Sequence, residues 1–278
     1  MMTRLMMTKY FQNIKWQPSL SLEIVAPAVV GLLALFGWEM GVRLTHTPPY
    51  LLPGPILILQ TLFKDWPILF PALLTTLKIT ILAFVAATTS GLLIAVLMAQ
   101  SKWIEKSLYP YAIVLQTIPL AAIAPLIIIW LRNSVLLALV ICAWIAALFP
   151  IISNTTFGLN SADPSLRDLF RLYKASRWQT LRYLRLPSAL PYFLAGLRIS
   201  GGLALIGAVV AEFVAGSGGT NSGIAYQILM AGYNLEIPRM FAALLLVTIL
   251  GIIIFVVLAT TSAALLSGWH ESSLPRDR

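Results

Sequence analysis

Residues 168–187 read DLFRLYKASRWQTLRYLRLP, a short, basic and amphipathic island in a chain that is otherwise mostly apolar. The 278 residues are 59% hydrophobic and only 10% charged. Soluble domains are about 45–50% apolar and about 25% charged, so this composition predicts a membrane protein. A polar island near the middle of such a chain calls for a functional explanation.

Apolar segments long enough to cross a bilayer flank the island on both sides. A spanning helix needs about 20 mainly apolar residues. The fold class is therefore predicted to be all-α, a polytopic membrane protein with about six transmembrane helices. Residues 23–268 are predicted to form the transmembrane domain, between tails at 1–22 and 269–278. The predicted spans are residues 24–43, 72–99, 108–131, 135–154, 190–213 and 240–267.

Lysine and arginine residues predict the orientation of these spans, because both residue types accumulate in the cytoplasmic loops of membrane proteins. With the N-terminus inside, the cytoplasmic segments hold 13 of the 19 lysines and arginines, and the outer segments hold 4. The net charge of +9 thus indicates topology and does not require a nucleic-acid partner. Both termini and the loop at 155–189 are predicted to be cytoplasmic.

The island carries the local signals of two short helices joined by a tight turn. Asp163 is a good N-cap, and Pro164 is a good first helical residue. Ser176 and Gln179 have the spacing of a capping box that opens a second helix, which is predicted to end before Pro187. The first helix is amphipathic. Its apolar face carries Leu166, Leu169, Phe170 and Tyr173, and its basic face carries Arg167, Arg171 and Lys174.

Three interpretations of the island are open: a solvated loop, a nucleic-acid-binding element, and a docking element for a cytoplasmic partner. The six basic residues of the loop at 155–189 are interleaved with aromatic residues, but no recognised nucleic-acid motif accompanies them. A docking element needs an apolar core and a charged rim. A preorganised pair of helices fits docking better than it fits a plain loop.

The island resembles the coupling loop of permease subunits in ATP-binding-cassette importers, whose pattern is E-A-A-x3-G-x9-I-x-L-P. Other stretches, PPYLLPGP, TIPLAAIAP and AEFVAGSGGTNSGIAYQILMAGY, resemble the branch that imports nitrate, sulfonates, taurine, bicarbonate or pyrimidine precursors. The resemblance covers roughly residues 25–268. The residues at the motif positions, and the two that follow its glycine position, are Asp168, Leu169, Phe170, Lys174, Ala175, Ser176, Leu184, Leu186 and Pro187.

This resemblance implies the architecture of a type I importer permease in the bacterial inner membrane. It implies an ATPase subunit dimer bound through the coupling loop, a second permease copy forming a homodimer, and an extracytoplasmic solute-binding protein. The sequence contains no G-x-x-x-x-G-K-[ST] phosphate loop, so ATP and Mg²⁺ are expected in the partner ATPase. We therefore expect no catalytic residue, no metal and no cofactor in this chain.

The sequence departs from the motif at positions that affect docking. Asp168 is one methylene shorter than the family glutamate that helps to engage the ATPase. Leu169 and Phe170 replace two alanines, so the groove in the partner is expected to be wider. Lys174 replaces the glycine of the turn, and a left-handed backbone there would cost on the order of 1 kcal/mol or more. Either the turn differs or neighbouring contacts hold it.

Charged residues within spans are candidates for the translocation pathway. Lys78, in the second span, either snorkels outward or supplies positive potential to an anion pathway. Arg198 lies near the inner end of the fifth span and can snorkel to the cytoplasm. Glu212 lies near the outer end of the same span, where a gate or interface role is the functional alternative.

The third predicted span contains Pro119 and Pro125, which interrupt a helix and free backbone carbonyls. With Gln116 and Thr117 they either line the pathway or mark a packing kink.

The solute is predicted to be small, and the positive residues in the spans favour an anion such as a sulfonate, taurine or nitrate. One alternative is a permease for a pyrimidine-type precursor. Another is an ATP-independent secondary carrier, although the inverted repeats that such carriers often have are not detected. A membrane-embedded enzyme is disfavoured, because the sequence lacks clustered metal ligands and a nucleophile–base pair.

Overall fold

A computed structural model of the chain describes residues 20–216 and 222–266, with side chains from residue 25 onward. These residues form helices and connecting turns without a strand, which confirms the all-α membrane fold. The predicted C-terminal tail and residues 1–19 of the predicted N-terminal tail lie outside the described residues.

The helices are numbered here in chain order. A π-helical segment, Leu181–Arg185, joins α8 to α9, so that one helix runs unbroken from Arg177 to Ala215. The helices are α1 (Leu20–Leu44), α2 (Pro55–Lys64), α3 (Trp66–Gln100), α4 (Lys102–Thr117), α5 (Leu120–Trp130), α6 (Val135–Asn160), α7 (Pro164–Leu172), α8 (Arg177–Thr180), α9 (Leu186–Ala215), α10 (Ile224–Tyr233) and α11 (Ile237–Leu266).

Within the described residues, five helices are long and apolar enough to cross a membrane: α1, α3, α6, α11 and the continuous helix that contains α9. The predicted third span is different, because α4 and α5 pass the same test only together and are bent by 96° at their junction. Pro119 lies at this break and lacks the N–H that a continuing helix would use. The predicted interruption of the third span is therefore confirmed at Pro119, whereas Pro125 lies inside α5 and does not break it.

Helices α6 and α9 form the most extensive helix pair in the structure. Glycines bring their backbones together: a Cβ at Gly207 would lie 2.8 Å from the Cα of Ala143, and one at Gly158 would lie 2.9 Å from the Cα of Ala189. Small residues allow this approach in lipid, where van der Waals packing replaces the hydrophobic effect as the force between helices. The α6–α9 pair is therefore the centre of the bundle.

Other helices pack around this pair at its two ends. At one end, α2 and α10 share an apolar cluster with the starts of α3 and α11. There Arg239 on α11 is paired with Asp65 at 2.6 Å and with Glu236. At the other end, the last turns of α3 and α6 pack against Leu181 and Ala189. The lysine and arginine distribution predicts that this second end faces the cytoplasm.

Replacing Gly207 with alanine tests the close approach of α6 and α9. The added Cβ would lie 2.8 Å from a backbone atom of α6, so one of the two helices must shift. We expect Gly207→Ala to reduce the free energy of unfolding by about 1–3 kcal/mol, as overpacking usually does. Thermal unfolding of the detergent-solubilised protein measures this change.

Gly202 is the matched control, because it lies on the same helix and a Cβ there would meet nothing within 4 Å. Equal losses in Gly207→Ala and Gly202→Ala would contradict the assignment of α6 and α9 as the central pair.

Candidate functional site

The polar island folds as a hairpin of α7, a tight turn and α8 with the π-helical segment that follows it; residues 164–185 are named here the coupling hairpin. Asp163 caps α7 as predicted: its carboxylate accepts hydrogen bonds from the backbone N–H of Ser165 at 2.6 Å and of Leu166 at 3.4 Å. The bonds from Ser165 are the main reason that the pKa of Asp163 is lowered. The start of the hairpin is therefore fixed locally.

Lys174 occupies the left-handed conformation that the glycine of the motif would adopt, with φ at +51°. Two backbone hydrogen bonds close the turn: Ala175 N donates to the Phe170 carbonyl at 2.9 Å, and Lys174 N donates to the Arg171 carbonyl at 3.0 Å. This pair of bonds is the Schellman arrangement that ends many helices. Of the two alternatives for Lys174, the structure thus shows a retained turn that neighbouring contacts hold.

The second helix begins with the predicted capping box. Gln179 N donates to Ser176 Oγ at 3.2 Å, and Ser176 N donates to Gln179 Oε1 at 2.7 Å. The prediction that this helix ends before Pro187 was wrong, because the backbone N–H of Leu186 donates to the Leu181 carbonyl five residues back. The wider π-helical turn carries the helix past Pro187 and into α9.

The coupling hairpin exposes most of its apolar side chains. An apolar cleft of about 360 Å³ lies between its two helices. Asp168 stands beside this surface, and its side chain is 71% exposed and paired with Arg171 at 3.3 Å. Leu184 is buried at the junction with the bundle, and Leu186 is partly exposed. Lining the cleft are Leu169, Phe170, Tyr173, Ala175, Gln179 and Tyr183.

The break between α4 and α5 forms a separate polar location within the membrane-spanning part. Gln116, Thr117 and Pro119 are all exposed there. Gln116 lines a cavity of about 300 Å³ that α6 and α9 close from the other side through Pro150 and Leu203, among others. The hydroxyl of Thr117 donates to the Val114 carbonyl at 2.8 Å, so its donor is used within α4.

The two basic candidates in the spans lie in different surroundings. Lys78 is exposed on α3 and has no ion-pair partner among the described residues. Arg198 donates from Nη2 to the buried hydroxyl of Ser262 on α11 at 2.6 Å. Its Nε is buried without a hydrogen-bond partner in the described part of the chain. The structure does not bring Lys78 and Arg198 into one site.

Glu212 is buried and joins three helices through hydrogen bonds. It is 3% exposed, and its carboxylate accepts from Thr76 Oγ1 at 2.8 Å and from Ala225 N at 3.1 Å. Thr76 Oγ1 in turn accepts from Ile224 N at 2.9 Å. A Cβ on Gly223 would collide with the Glu212 carboxylate, so glycine is needed there. The network joins α3, α9 and the start of α10.

Thr76 was missed by sequence reasoning. It lies 136 residues from Glu212, and a threonine in an apolar helix carries no signal of a distant partner. The available signal was the combination of an acidic residue near the end of a span with a glycine immediately before a short helix, whose free N–H groups attract a carboxylate.

The described residues thus form a polytopic all-α membrane protein with five spanning helices, a bent helix pair and an exposed helical hairpin. Residues 87–267 match the family of binding-protein-dependent transport system inner membrane components. The chain belongs to this family, whose members are permease subunits of ATP-binding-cassette importers.

Named relatives cover most of the chain. It is 32% identical over 236 residues to the formylaminopyrimidine transport permease protein ThiX of Halalkalibacterium halodurans, covering 84% of this chain and 92% of that protein. It is 33% identical to the riboflavin transport system permease protein RibX of Chloroflexus aurantiacus, covering 94% of each. It is 28% identical to the nitrate import permease protein NrtB of Synechocystis sp., covering 84% of this chain and 86% of that protein.

Solved structures share the fold. A crystal structure of an amino acid ABC transporter with histidines matches with a TM-score of 0.60 at 22% identity, covering 73% of this chain and 96% of that chain. An inward-facing structure of the MetNI methionine ABC transporter matches with a TM-score of 0.61 at 17% identity. The match covers 72% of this chain and 97% of that chain. At these identities the likeness shows the fold alone.

Removing the Glu212 carboxylate should destabilise the contact between α9 and α10. Glu212→Ala leaves the N–H of Ala225 without its acceptor, at a cost of about 1–3 kcal/mol for a buried group. The hydroxyl of Thr76 loses its shorter bond and keeps the one to the Ala72 carbonyl at 3.3 Å. Glu212→Gln keeps an acceptor and should cost less. Thermal unfolding separates the two variants. Glu105→Ala, which removes a carboxylate from a partly exposed site, should have little effect. Equal stability of Glu212→Ala and the wild type would contradict the role of Glu212 in holding these helices together.

The left-handed turn at Lys174 predicts a ranking of substitutions. A β-branched residue is strained at positive φ, so Lys174→Val should increase hydrogen exchange of the α7 amides, on the order of fivefold. Lys174→Gly should leave the exchange close to that of the wild type, because glycine adopts this conformation without strain. Exchange mass spectrometry of the purified protein measures both. Identical rates in the two variants would show that the turn does not carry this constraint.

Proposed function

We propose that this chain forms the translocation pathway of an ATP-driven importer and that a separate ATPase subunit moves it through the coupling hairpin. The observation that carries the proposal is the continuity of the helix from Arg177 to Ala215. A force applied to the hairpin reaches the centre of the bundle without crossing a flexible joint. The hairpin therefore has the mechanical property that a lever requires.

The surface of the coupling hairpin supports docking of a protein partner. Exposed Leu166, Leu169 and Tyr173 supply an apolar centre, and Asp168 supplies charge at its edge. Protein interfaces of the same kind combine an apolar core with a polar rim. The two helices are capped in advance, so little conformational entropy is lost when a partner binds.

The ATPase subunits are proposed to bind ATP and Mg²⁺ and to close on each other below two copies of this chain. Alternating access then follows from different contact energies in the closed and open states. Two permease copies, related as a homodimer, enclose the pathway, and an extracytoplasmic binding protein delivers the solute. We propose an inner-membrane location with residues 23–268 in the transmembrane domain and the tails at 1–22 and 269–278 in the cytoplasm.

The proposed solute is a small anion such as a sulfonate, taurine or nitrate. Lys78, without an ion-pair partner in the described chain, and Arg198, with an unpaired Nε, support a positive pathway. The nitrate relative is consistent with an anion. The relatives named for formylaminopyrimidine and riboflavin favour a second candidate, a heteroaromatic precursor. Competition of each solute class for uptake distinguishes the two.

Reversing the charge at Asp168 tests the docking assignment. Asp168→Lys should weaken association with the ATPase on the order of tenfold, because a carboxylate at the edge of the interface is replaced by a repelling or unpaired cation. Co-purification of the ATPase and ATP-dependent uptake into proteoliposomes measure the loss. Glu105→Lys makes the same charge change on the same predicted side of the membrane, outside the hairpin, and should leave both intact.

Two results would overturn the proposed function. One is intact ATPase association and uptake in Asp168→Lys. The other is full-rate uptake by proteoliposomes that contain this chain without an ATPase, which would indicate a secondary carrier.

A further inference from the structure

A second cleft of about 450 Å³ lies at the coupling hairpin, and four arginines line it. This basic cleft is lined by Arg167 and Arg171 of α7, by Arg177 and Arg185 of the second helix, and by Gln100 at the end of α3, among others. It shares only Ala175 with the apolar cleft. The hairpin thus offers two chemically different surfaces.

The positive charge of the basic cleft is poorly compensated within the described chain. The guanidinium groups of Arg167 and Arg177 make no hydrogen bond or ion pair among the described residues, although Asp163 attracts Arg167 electrostatically. Arg171 has one exposed contact with Asp168 at 3.3 Å. Four cations close to one another repel, so an anion in the cleft would be stabilised by each of them.

Arg185 is held in place by the bundle. Its Nη1 donates to the Ala99 carbonyl at 2.5 Å, in the last turn of α3. Arg167 and Arg171 lie close enough to act on it electrostatically. One wall of the cleft is therefore rigid, and guanidinium groups in such a wall suit the tetrahedral oxygens of a phosphate group, which they bind through charge-assisted hydrogen bonds.

The position of the basic cleft indicates where the phosphate group comes from. Gln100 and Arg185 lie where α3 ends and where α9 is about to begin, at the inner end of two spans. Trp103 is exposed at the start of α4, shortly after Gln100, and Trp178 is exposed next to Arg177 at the start of the second helix. Exposed tryptophans at span ends are typical of the headgroup region of a bilayer, and basic pockets at this level bind anionic headgroups.

We propose that the basic cleft binds the phosphate group of an anionic lipid headgroup. The assignment to the cytoplasmic leaflet rests on the orientation in the proposed function, but binding itself does not require transport. A bound headgroup offsets the repulsion among the four arginines and holds α7 against the second helix. The apolar cleft remains free for the ATPase.

Lipid retention tests the proposal on the purified full-length chain. Native mass spectrometry with phosphatidylglycerol or phosphatidylcholine as the added lipid measures which lipid is kept. We expect preferential retention of phosphatidylglycerol, weakened on the order of tenfold in the double variant Arg167→Gln, Arg171→Gln. Arg171 is exposed and Arg167 is partly exposed, and equal thermal midpoints of variant and wild type without added lipid verify that the fold is intact.

Arg182→Gln is the matched control, because Arg182 lies on the same hairpin but does not line the basic cleft. It removes one cation and should retain phosphatidylglycerol as the wild type does. The single variant Arg167→Gln, which also removes one cation, is measured beside it. If Arg182→Gln lost as much phosphatidylglycerol retention as Arg167→Gln, the site would be overturned, because only net charge would then matter. So would unchanged retention in the double variant.

Two further measurements identify the source of the anion. Inorganic phosphate that binds through the same arginines, with no preference between the two lipids, would overturn the lipid assignment in favour of a soluble ligand. Displacement of phosphatidylglycerol by the ATPase subunit would assign the cleft to the protein interface instead. These results are independent of uptake activity, so the lipid site can fail while the permease function stands.

Discussion

The backbone contact between α6 and α9 is the constraint on which the rest of this structure depends. Lipid chains solvate apolar side chains about as well as other helices do, so burial alone does not hold two spans together. Glycine and alanine side chains instead let the helix backbones approach until dispersion contacts are dense, as at Gly207 and Ala143. That contact fixes the direction of α9, and α9 in turn fixes what is attached to each of its ends.

The two ends of this helix carry two polar features. At its N-terminal end, the helix continues through the π-helical segment into the coupling hairpin. Near its C-terminal end, Glu212 joins it to α3 and to the start of α10. A displacement of the hairpin must therefore be absorbed either as movement of the whole helix or as a break at the Glu212 network. Packed structure alone therefore connects the hairpin to the Glu212 network at the other end of α9.

Local features were predictable from the sequence, and features that join distant segments were not. The caps at Asp163 and Ser176 depend on neighbouring residues, and both are present. Apolar run lengths located the spans. The sequence predicted that Pro119 and Pro125 interrupt the third span, but the break occurs only at Pro119, and the helix passes through Pro187. Packing decides which proline breaks a helix and which is accommodated. The hydrogen bond between Thr76 and Glu212 joins residues far apart in the sequence, so only the folded structure reveals it.

Lys174 shows how a departure from a family motif can be tolerated and used. Its left-handed backbone costs on the order of 1 kcal/mol relative to glycine. Its ammonium group, however, follows the last turn of α7, where a cation gains about 0.3–1 kcal/mol from the free carbonyls and the helix dipole. The two effects are of similar size, so a lysine can replace the glycine with little net change in stability. The turn is preserved because the backbone bonds at Phe170 and Arg171 determine it, whichever of the two residues stands there.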